Sequence, residues 1–488
     1  MRHALTLLLA LPMLGALALF GVPRERPVWV RRVALGAGTG TMLVAWSLLT
    51  RFEPRQAGLQ LVEHLDWSPR LGMAYYLAVD GISLPMLLLA TLLCWVALVA
   101  SRSIKERARG YYQAMLALES ALLGVFLAQD WSLFYLFWEL TLIPLFFLID
   151  RWGGPQRQGA ALNFVLYTMG GSVFMLLGLL VLFDAAGIHS FGMPQLAAQG
   201  AQLPRGTQIL VFLGLLVGFG VKLPLFPIHG WLPLAHVQAP SPVSILLSGI
   251  LLKMGAYGLL RAVQTLPVAA LALQDMLGTL ALVSLLYGGL LAWRQTDLKA
   301  MIAYSSVSHM GVVMLGISSL NLAGLTGALW QMIAHGLVAA ALFLLIGLLY
   351  ERTHTRQLGD YGNLTPIAPR FAAFAALAFI TAIGLPGTAG FVAELHTLVG
   401  GFQAWGWGVL PLSIGVLVGA AYAIRALGQL CTGPAPAHVQ GLTDMGTSET
   451  WAAAILIGGS LVLGLLPAGG LDLMAATLGR VSDIFAGP

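Results

Sequence analysis

Five ionisable residues stand inside long apolar stretches of this chain: Glu119, Glu139, Lys222, Lys253 and Glu394. A charged side chain at mid-membrane costs roughly 2.5–3.5 kcal/mol on insertion scales. For the set, the penalty is on the order of 12–17 kcal/mol, comparable to the net stability of a whole domain. Ser, Gly and Asn would pin helices together at lower cost, so the five point to function ahead of scaffolding. Two histidines join them. His309 closes a polar stripe with Tyr304, Ser305, Ser306 and Ser308, and His335 lies midway through a later apolar run. Imidazole titrates near neutrality and accepts a proton on one nitrogen while donating from the other. Acids, amines and imidazoles enclosed in hydrocarbon can pass protons, although a lone buried histidine is as often a hydrogen-bonded packing residue. His229 and His236 flank a Trp-Leu-Pro turn, but further ligands are lacking there and no metal site is expected.

Two of these charges lie beside helix breakers. Lys222 falls in Gly-Phe-Gly-Val-Lys-Leu-Pro-Leu-Phe-Pro, residues 218–227, where Pro224 and Pro227 each lack a backbone donor. Ile383-Gly384-Leu385-Pro386-Gly387-Thr388 interrupts another run, and Glu394 follows two turns later. An interrupted span frees carbonyls at membrane depth, which is tolerated only where protein or a water-filled cavity satisfies them. One such kink is ordinary; two, each with a charge, suggest the paired broken helices of an inverted-repeat transporter. Spacing gives partial support. Glu139 to Lys222 is 83 residues and His309 to Glu394 is 85, while Lys222 to Lys253 and Glu394 to Arg425 are each 31. Pro224 and Pro386 are offset by 162 residues against 172 for the charges, so the repeat is architectural, and Arg425 also reads as a simple helix-end cation.

The elements that must hold these residues follow from composition. Of 488 residues, 58% are hydrophobic and 9% charged, against roughly 25% charged in soluble proteins. The chain is therefore expected to be an all-α integral membrane protein. Runs of about 20 apolar residues lie near 4–22, 30–50, 80–100, 112–130, 131–150, 160–184, 208–227, 241–262, 273–293, 299–318, 324–350, 371–399, 407–430 and 451–468. These fourteen form one polytopic domain over 1–488. N-terminal helices occupy 1–111, a first repeat 112–262, a second 273–430, and a C-terminal helix and tail 451–488; spans 7 and 12 are the broken ones. The connection 51–79 has room for a short hairpin or interfacial helix. The first run reads as a retained span, since Arg24, Glu25 and Arg26 stand where a signal-peptide cleavage site would need small residues. One set of alternate loops carries sixteen Lys and Arg, the other set with the tails seven. The positive-inside rule puts the richer set in the cytoplasm and both termini on the other side. No basic stripe suggests nucleic acid. Cys94 and Cys431 alone cannot ligate an iron–sulfur cluster within the chain.

Several motifs resemble one family closely. Phe-Trp-Glu-Leu-Thr-Leu-Ile-Pro (137–144), Lys-Leu-Pro-Leu-Phe-Pro-Ile-His-Gly-Trp-Leu-Pro (222–233) and Ala-Pro-Ser-Pro-Val-Ser (239–244) are similar to those of the antiporter-like subunits of respiratory complex I. So are Gly-Ile-Leu-Leu-Lys-Met-Gly-Ala-Tyr-Gly (249–258), Asp-Leu-Lys-Ala-Met-Ile-Ala-Tyr-Ser-Ser-Val-Ser-His-Met-Gly (297–311) and Gly-Leu-Pro-Gly-Thr-Ala-Gly-Phe-Val-Ala-Glu (384–394). The resemblance covers nearly the whole chain. Glu394 in the twelfth span, where L and N subunits generally carry Lys, favours the M branch, as do the short C-terminal tail and the Phe-Trp-Glu context. Leu234 departs from the family, which often has an acid in that turn.

The resemblance implies specific roles. Glu139 and Lys222 would form the paired switch of a first half-channel, Lys253 the central relay, His309 and His335 its continuation, and Glu394 the end of a second half-channel. Glu119 receives no role. The implied function is proton translocation in the membrane arm of a bacterial NADH–quinone oxidoreductase in the inner membrane. FMN, iron–sulfur clusters, NADH and quinone would be held by partner subunits, and L-like and N-like subunits would be neighbours. A subunit of a cation/proton antiporter or of a membrane-bound hydrogenase is the alternative.

Overall fold

The computed structural model describes residues 3–486. Among these, thirteen helices are long and apolar enough to cross a membrane, from Ala4–Gly21 to Thr447–Leu465. Helices are the expected solution, because a bilayer core offers no water to satisfy backbone N–H and C=O groups. They match the apolar runs of the sequence within a few residues, with one exception. The run at 371–399 is divided into two shorter helices, Pro369–Ile383 and Ala389–Trp405.

Loops gather on two faces. On one, Gln60–Ser68 pairs antiparallel with Met73–Val79, so the long connection forms a hairpin. Leu77 bridges to Ala128 and Asp130 to Gly192 beside it. The Glu63 carboxylate, from the hairpin, accepts from the backbone N–H of Leu5 at 2.7 Å and Thr6 at 3.1 Å. It thereby satisfies free donors at the positive end of helix Ala4–Ala18. The expected C-terminal tail is instead a helix, Ala468–Asp483. It buries Met474, Thr477, Leu478 and Val481, an i, i+3, i+4, i+7 stripe of an amphipathic surface helix, and Thr477 Oγ1 accepts from Gly81 N–H at 3.0 Å.

The other face ties together loops from the opposite helix ends. Gly154 N–H donates to Gln238 O at 2.8 Å, and Leu298 N–H to Arg356 O at 2.9 Å. Arg352 pairs with Glu449 at 2.6 Å and Arg356 with Asp297 at 3.2 Å. The divided helix runs between the faces. Asp444 accepts from Arg370 and Phe371 N–H at its start, whereas Trp405 at its end donates to Asp275 at 2.9 Å. Arg261 and Lys299, counted among the loop cations, are buried, at 5% and 3% exposed. Helix Leu252–Thr265 runs past Arg261, which meets Asp80 in a two-pronged ion pair of 2.7 and 2.9 Å. Lys299, at the start of its helix, donates to Ala239 O at 2.8 Å.

Candidate functional site

Lys222 is the last residue of helix Arg205–Lys222. Beyond it Pro224 and Pro227 cannot donate, and the chain resumes helical form only at Trp231–Gln238. The second half of the broken span lies past the expected boundary at 227, in the stretch read as a Trp-Leu-Pro turn flanked by His229 and His236. The indole of Trp231 donates to the freed Val221 carbonyl at 2.8 Å.

Facing this break is the fifth span, Trp131–Trp152. Its backbone stays in the right-handed helical region through Thr141, whose N–H donates to Phe137 O at 3.3 Å, three residues before Pro144. Lys222 Nζ donates to Trp138 O at 3.1 Å and to Thr141 Oγ1 at 3.0 Å. It also lies 3.9 Å from the centre of the Trp138 ring, close enough for cation–π attraction. No nitrogen of Lys222 comes within 4.0 Å of a Glu139 oxygen, and neither residue belongs to the five ion pairs among the described residues. Consecutive helical residues are rotated by about 100°, so with Trp138 on Lys222 the next side chain points elsewhere. Glu139 Oε1 is buried without a hydrogen-bond partner. The two members of the expected pair are therefore held apart here.

Lys253, His335 and His309 are in contact. The eighth span, Ser241–Thr265, contains a π-helical turn, Leu247–Leu251, just before Lys253. Such turns insert a residue and loosen the carbonyl ladder. Lys253 Nζ donates to Ser248 O at 2.6 Å and lies 2.6 Å from His335 Nδ1. The His335 and His309 rings meet edge to face at 5.2 Å, and Ser248 Oγ touches Ser306 Oγ at 2.8 Å. Two glycines allow this approach. A Cβ at Gly336 would lie 2.9 Å from Gly249 O and 2.7 Å from Leu89 Cδ2, so small residues let the backbones of the eighth and eleventh spans close on each other.

Glu394 sits in the second half of the divided span. Gly384 ends helix Pro369–Ile383 at φ +75°, a left-handed conformation, and Thr388 Oγ1 accepts from Phe391 N–H at the start of the next helix. A Cβ at Gly384 would come 2.7 Å from Glu394 Oε2. The carboxyl is half-buried and borders a groove of about 510 Å³ lined by Leu385, Pro386, Leu398 and Leu417. Among the described residues, no hydrogen bond or ring contact links Lys222 to Lys253, or His309 to Glu394.

Other groups stand outside this line. Glu119 is 0% exposed and neither of its oxygens has a partner. His236 is fully buried, stacked on Phe343 at 4.5 Å, with both ring nitrogens unpartnered. Its only sequence signal was its place in the Trp-Leu-Pro turn, weighed there for a metal alone. No group of three or more His, Cys, Asp or Glu gathers in a metal-binding arrangement among the described residues. Arg425 donates to Trp293 O and Gln295 O at the end of helix Gln274–Arg294, which is the plain helix-end role.

Comparisons with known proteins agree with this architecture. Residues 128–419 match the family described as NADH:quinone oxidoreductase/Mrp antiporter, transmembrane. The chain is 39% identical to an NADH-quinone oxidoreductase subunit M of Rhodobacter capsulatus, covering 99% of this chain and 96% of that one. It is 42% identical to an NAD(P)H-quinone oxidoreductase chain 4 of a Synechococcus species, covering 81% and 75%. A chain of respiratory complex I from Thermus thermophilus superposes with a TM-score of 0.89 at 32% identity, covering 98% of this chain and 99% of that one. A chain of the Mrp complex from a Dietzia species shares the fold, with a TM-score of 0.86 at 21% identity over 99% of each.

Proposed function

The chain belongs to the NADH:quinone oxidoreductase/Mrp antiporter transmembrane family, and from that premise we propose that it translocates protons in the membrane arm of a redox-driven NADH–quinone oxidoreductase. The observation that carries this reading is the contact of Lys253 with His335, and of His335 with His309. A 2.6 Å separation between an amine and an imidazole nitrogen is a hydrogen bond along which a proton can shift in either direction. Lys222, with Glu139 one helical step aside, supplies the entry. Closing and parting these two would alternately hold and release a proton toward Lys253. Glu394, beside the break at Gly384, is the exit.

Electron transfer belongs to partner subunits in this reading, since the chain brings no thiolate set for an iron–sulfur cluster; FMN, NADH and quinone bind there too. L-like and N-like subunits flank it in a bacterial inner membrane, with the basic loops in the cytoplasm. The helices around the two broken spans make two inverted repeats. Packing of Arg157–Ala186 on Arg205–Lys222, and of Leu322–Thr353 on Ala389–Trp405, supports that correspondence. The test is Glu139→Gln in the assembled complex. Quinone-linked proton pumping should fall severalfold with assembly intact, and unchanged pumping would remove the channel assignment. Flavin and iron–sulfur partners should copurify with the chain; their absence would favour an antiporter complex.

A further inference from the structure

The hairpin face holds a cavity of about 390 Å³ that takes no part in the line from Lys222 to Glu394. It opens between the hairpin, helix Met193–Gly200, the end of helix Leu252–Thr265 and helix Ala468–Asp483. Its polar wall is Asp80, Gln129, Arg261, Gln264 and Arg480, and the hydrogen bonds there are one-sided. Asp80 is saturated. Its Oδ1 accepts from Ile82 N–H at 3.0 Å, Ser83 N–H at 2.9 Å and Arg261 at 2.9 Å, and its Oδ2 from Arg261 at 2.7 Å.

The unmet buried side-chain groups of this wall are all donors: Arg261 Nε, Gln129 Nε2 and Gln264 Nε2. Gln129 is 2% exposed. Turning a glutamine amide exchanges its oxygen and nitrogen, but a guanidinium has no acceptor to turn. Arg480 belongs to none of the ion pairs among the described residues. Two guanidinium charges thus border the cavity against one carboxylate that already accepts four hydrogen bonds. Buried donors left without acceptors are rare in native proteins, so the wall calls for a ligand rich in acceptor oxygens. The hydroxyl residues Tyr76, Thr265 and Thr477 also line it, and Leu59, Met193, Ala197, Val481 and Ile484 make its apolar part.

We infer that this cavity binds a phosphate-bearing anion, with Arg261, Arg480 and the two glutamine amides donating to the phosphoryl oxygens. Phosphate offers several strong acceptors, and guanidinium groups match its geometry. A lipid headgroup would also use the apolar walls, whereas inorganic phosphate would fill only the polar end. The inference is independent of the proton-transfer reading.

The experiment compares the purified wild-type complex with Gln129→Leu/Gln264→Leu and, because Arg480 is exposed and its replacement leaves no buried cavity, with Arg480→Gln. Phosphatidylglycerol bound per complex is counted by native mass spectrometry. Delipidated complex is then titrated separately with phosphatidylglycerol micelles and with radiolabelled inorganic phosphate. Binding should weaken roughly tenfold or more in both variants, as expected when charge-assisted hydrogen bonds are removed. Loss confined to the lipid arm identifies a headgroup, and loss in the phosphate arm as well identifies the free anion as sufficient. Equal binding of both ligands by all three proteins means that the cavity holds water only, and overturns the proposal.

Discussion

Replacing Lys253 with Met separates a relay from a scaffold. Lys253 is 0% exposed, and its amine has two partners, Ser248 O and His335 Nδ1, each at 2.6 Å. Methionine is unbranched and of similar length, so it fills the same space without a large cavity. Loss of the amine leaves two acceptors short of a donor, at about 1–3 kcal/mol each. Against this, the membrane interior no longer has to hold an ammonium, which returns roughly 2.5–3.5 kcal/mol. The net change lies within about 4 kcal/mol of zero, distributed over an eighth span that is packed on every side. The variant complex should therefore assemble with its full complement of redox centres and oxidise NADH. Proton uptake by inside-out vesicles, followed with a pH-sensitive dye, should fall severalfold, because no other group bridges Ser248 and His335. Intact pumping in assembled complex would refute the relay. Failure to assemble would make Lys253 a structural residue, since the energy terms above leave no reason for it.

The divided span gives a paired test. Gly384→Ala forces a side chain into the left-handed region, at about 1–2 kcal/mol, and its Cβ would meet Glu394 Oε2 at 2.7 Å. Gly387→Ala carries similar strain at φ +95° but meets only Leu465 Cδ2, at 3.5 Å. Both should lower the thermal transition of the complex, while only Gly384→Ala should slow pumping; equal pumping in the two would detach Gly384 from Glu394. Arg261→Met strands Asp80 in the interior and should destabilise by about 3–5 kcal/mol, with partial recovery in Arg261→Met/Asp80→Asn. Thermal unfolding of the purified complex measures both, and a single variant as stable as wild type would sink the buried-pair account.

The charges were legible in the sequence because the membrane makes them costly, and nothing else in an apolar run explains a Lys or Glu. The breaks after Lys222 and Ile383 were legible because Pro and Gly announce them. What the sequence concealed has a common physical cause. Each lysine has one backbone acceptor, the carbonyls of Trp138 and Ser248, and a backbone carbonyl leaves no signature in residue type. The π-helical turn at Leu247–Leu251 contains no proline and reads as uninterrupted span. Asp80 and Arg261 are 181 residues apart, so their pairing depends on tertiary packing that neither flank reveals.

The same molecule contains two ways of placing charge, and the contrast bears on function. Toward the loop-bearing faces three pairs join charges of opposite sign: Arg261 with Asp80, Arg352 with Glu449, Arg356 with Asp297. These fix helix ends and loops, as a scaffold requires. Within the spans none of Glu139, Lys222, Lys253 and Glu394 is in an ion pair. The two lysines rest on carbonyls, a hydroxyl and an imidazole instead. A carboxylate at contact distance would hold an ammonium in its charged state, whereas a carbonyl accepts from an ammonium or a neutral amine alike. Carbonyls, a hydroxyl and an imidazole thus supply polarity without a counter-charge. That arrangement is a poor way to join helices and a suitable one for a group that must gain and lose a proton in every cycle.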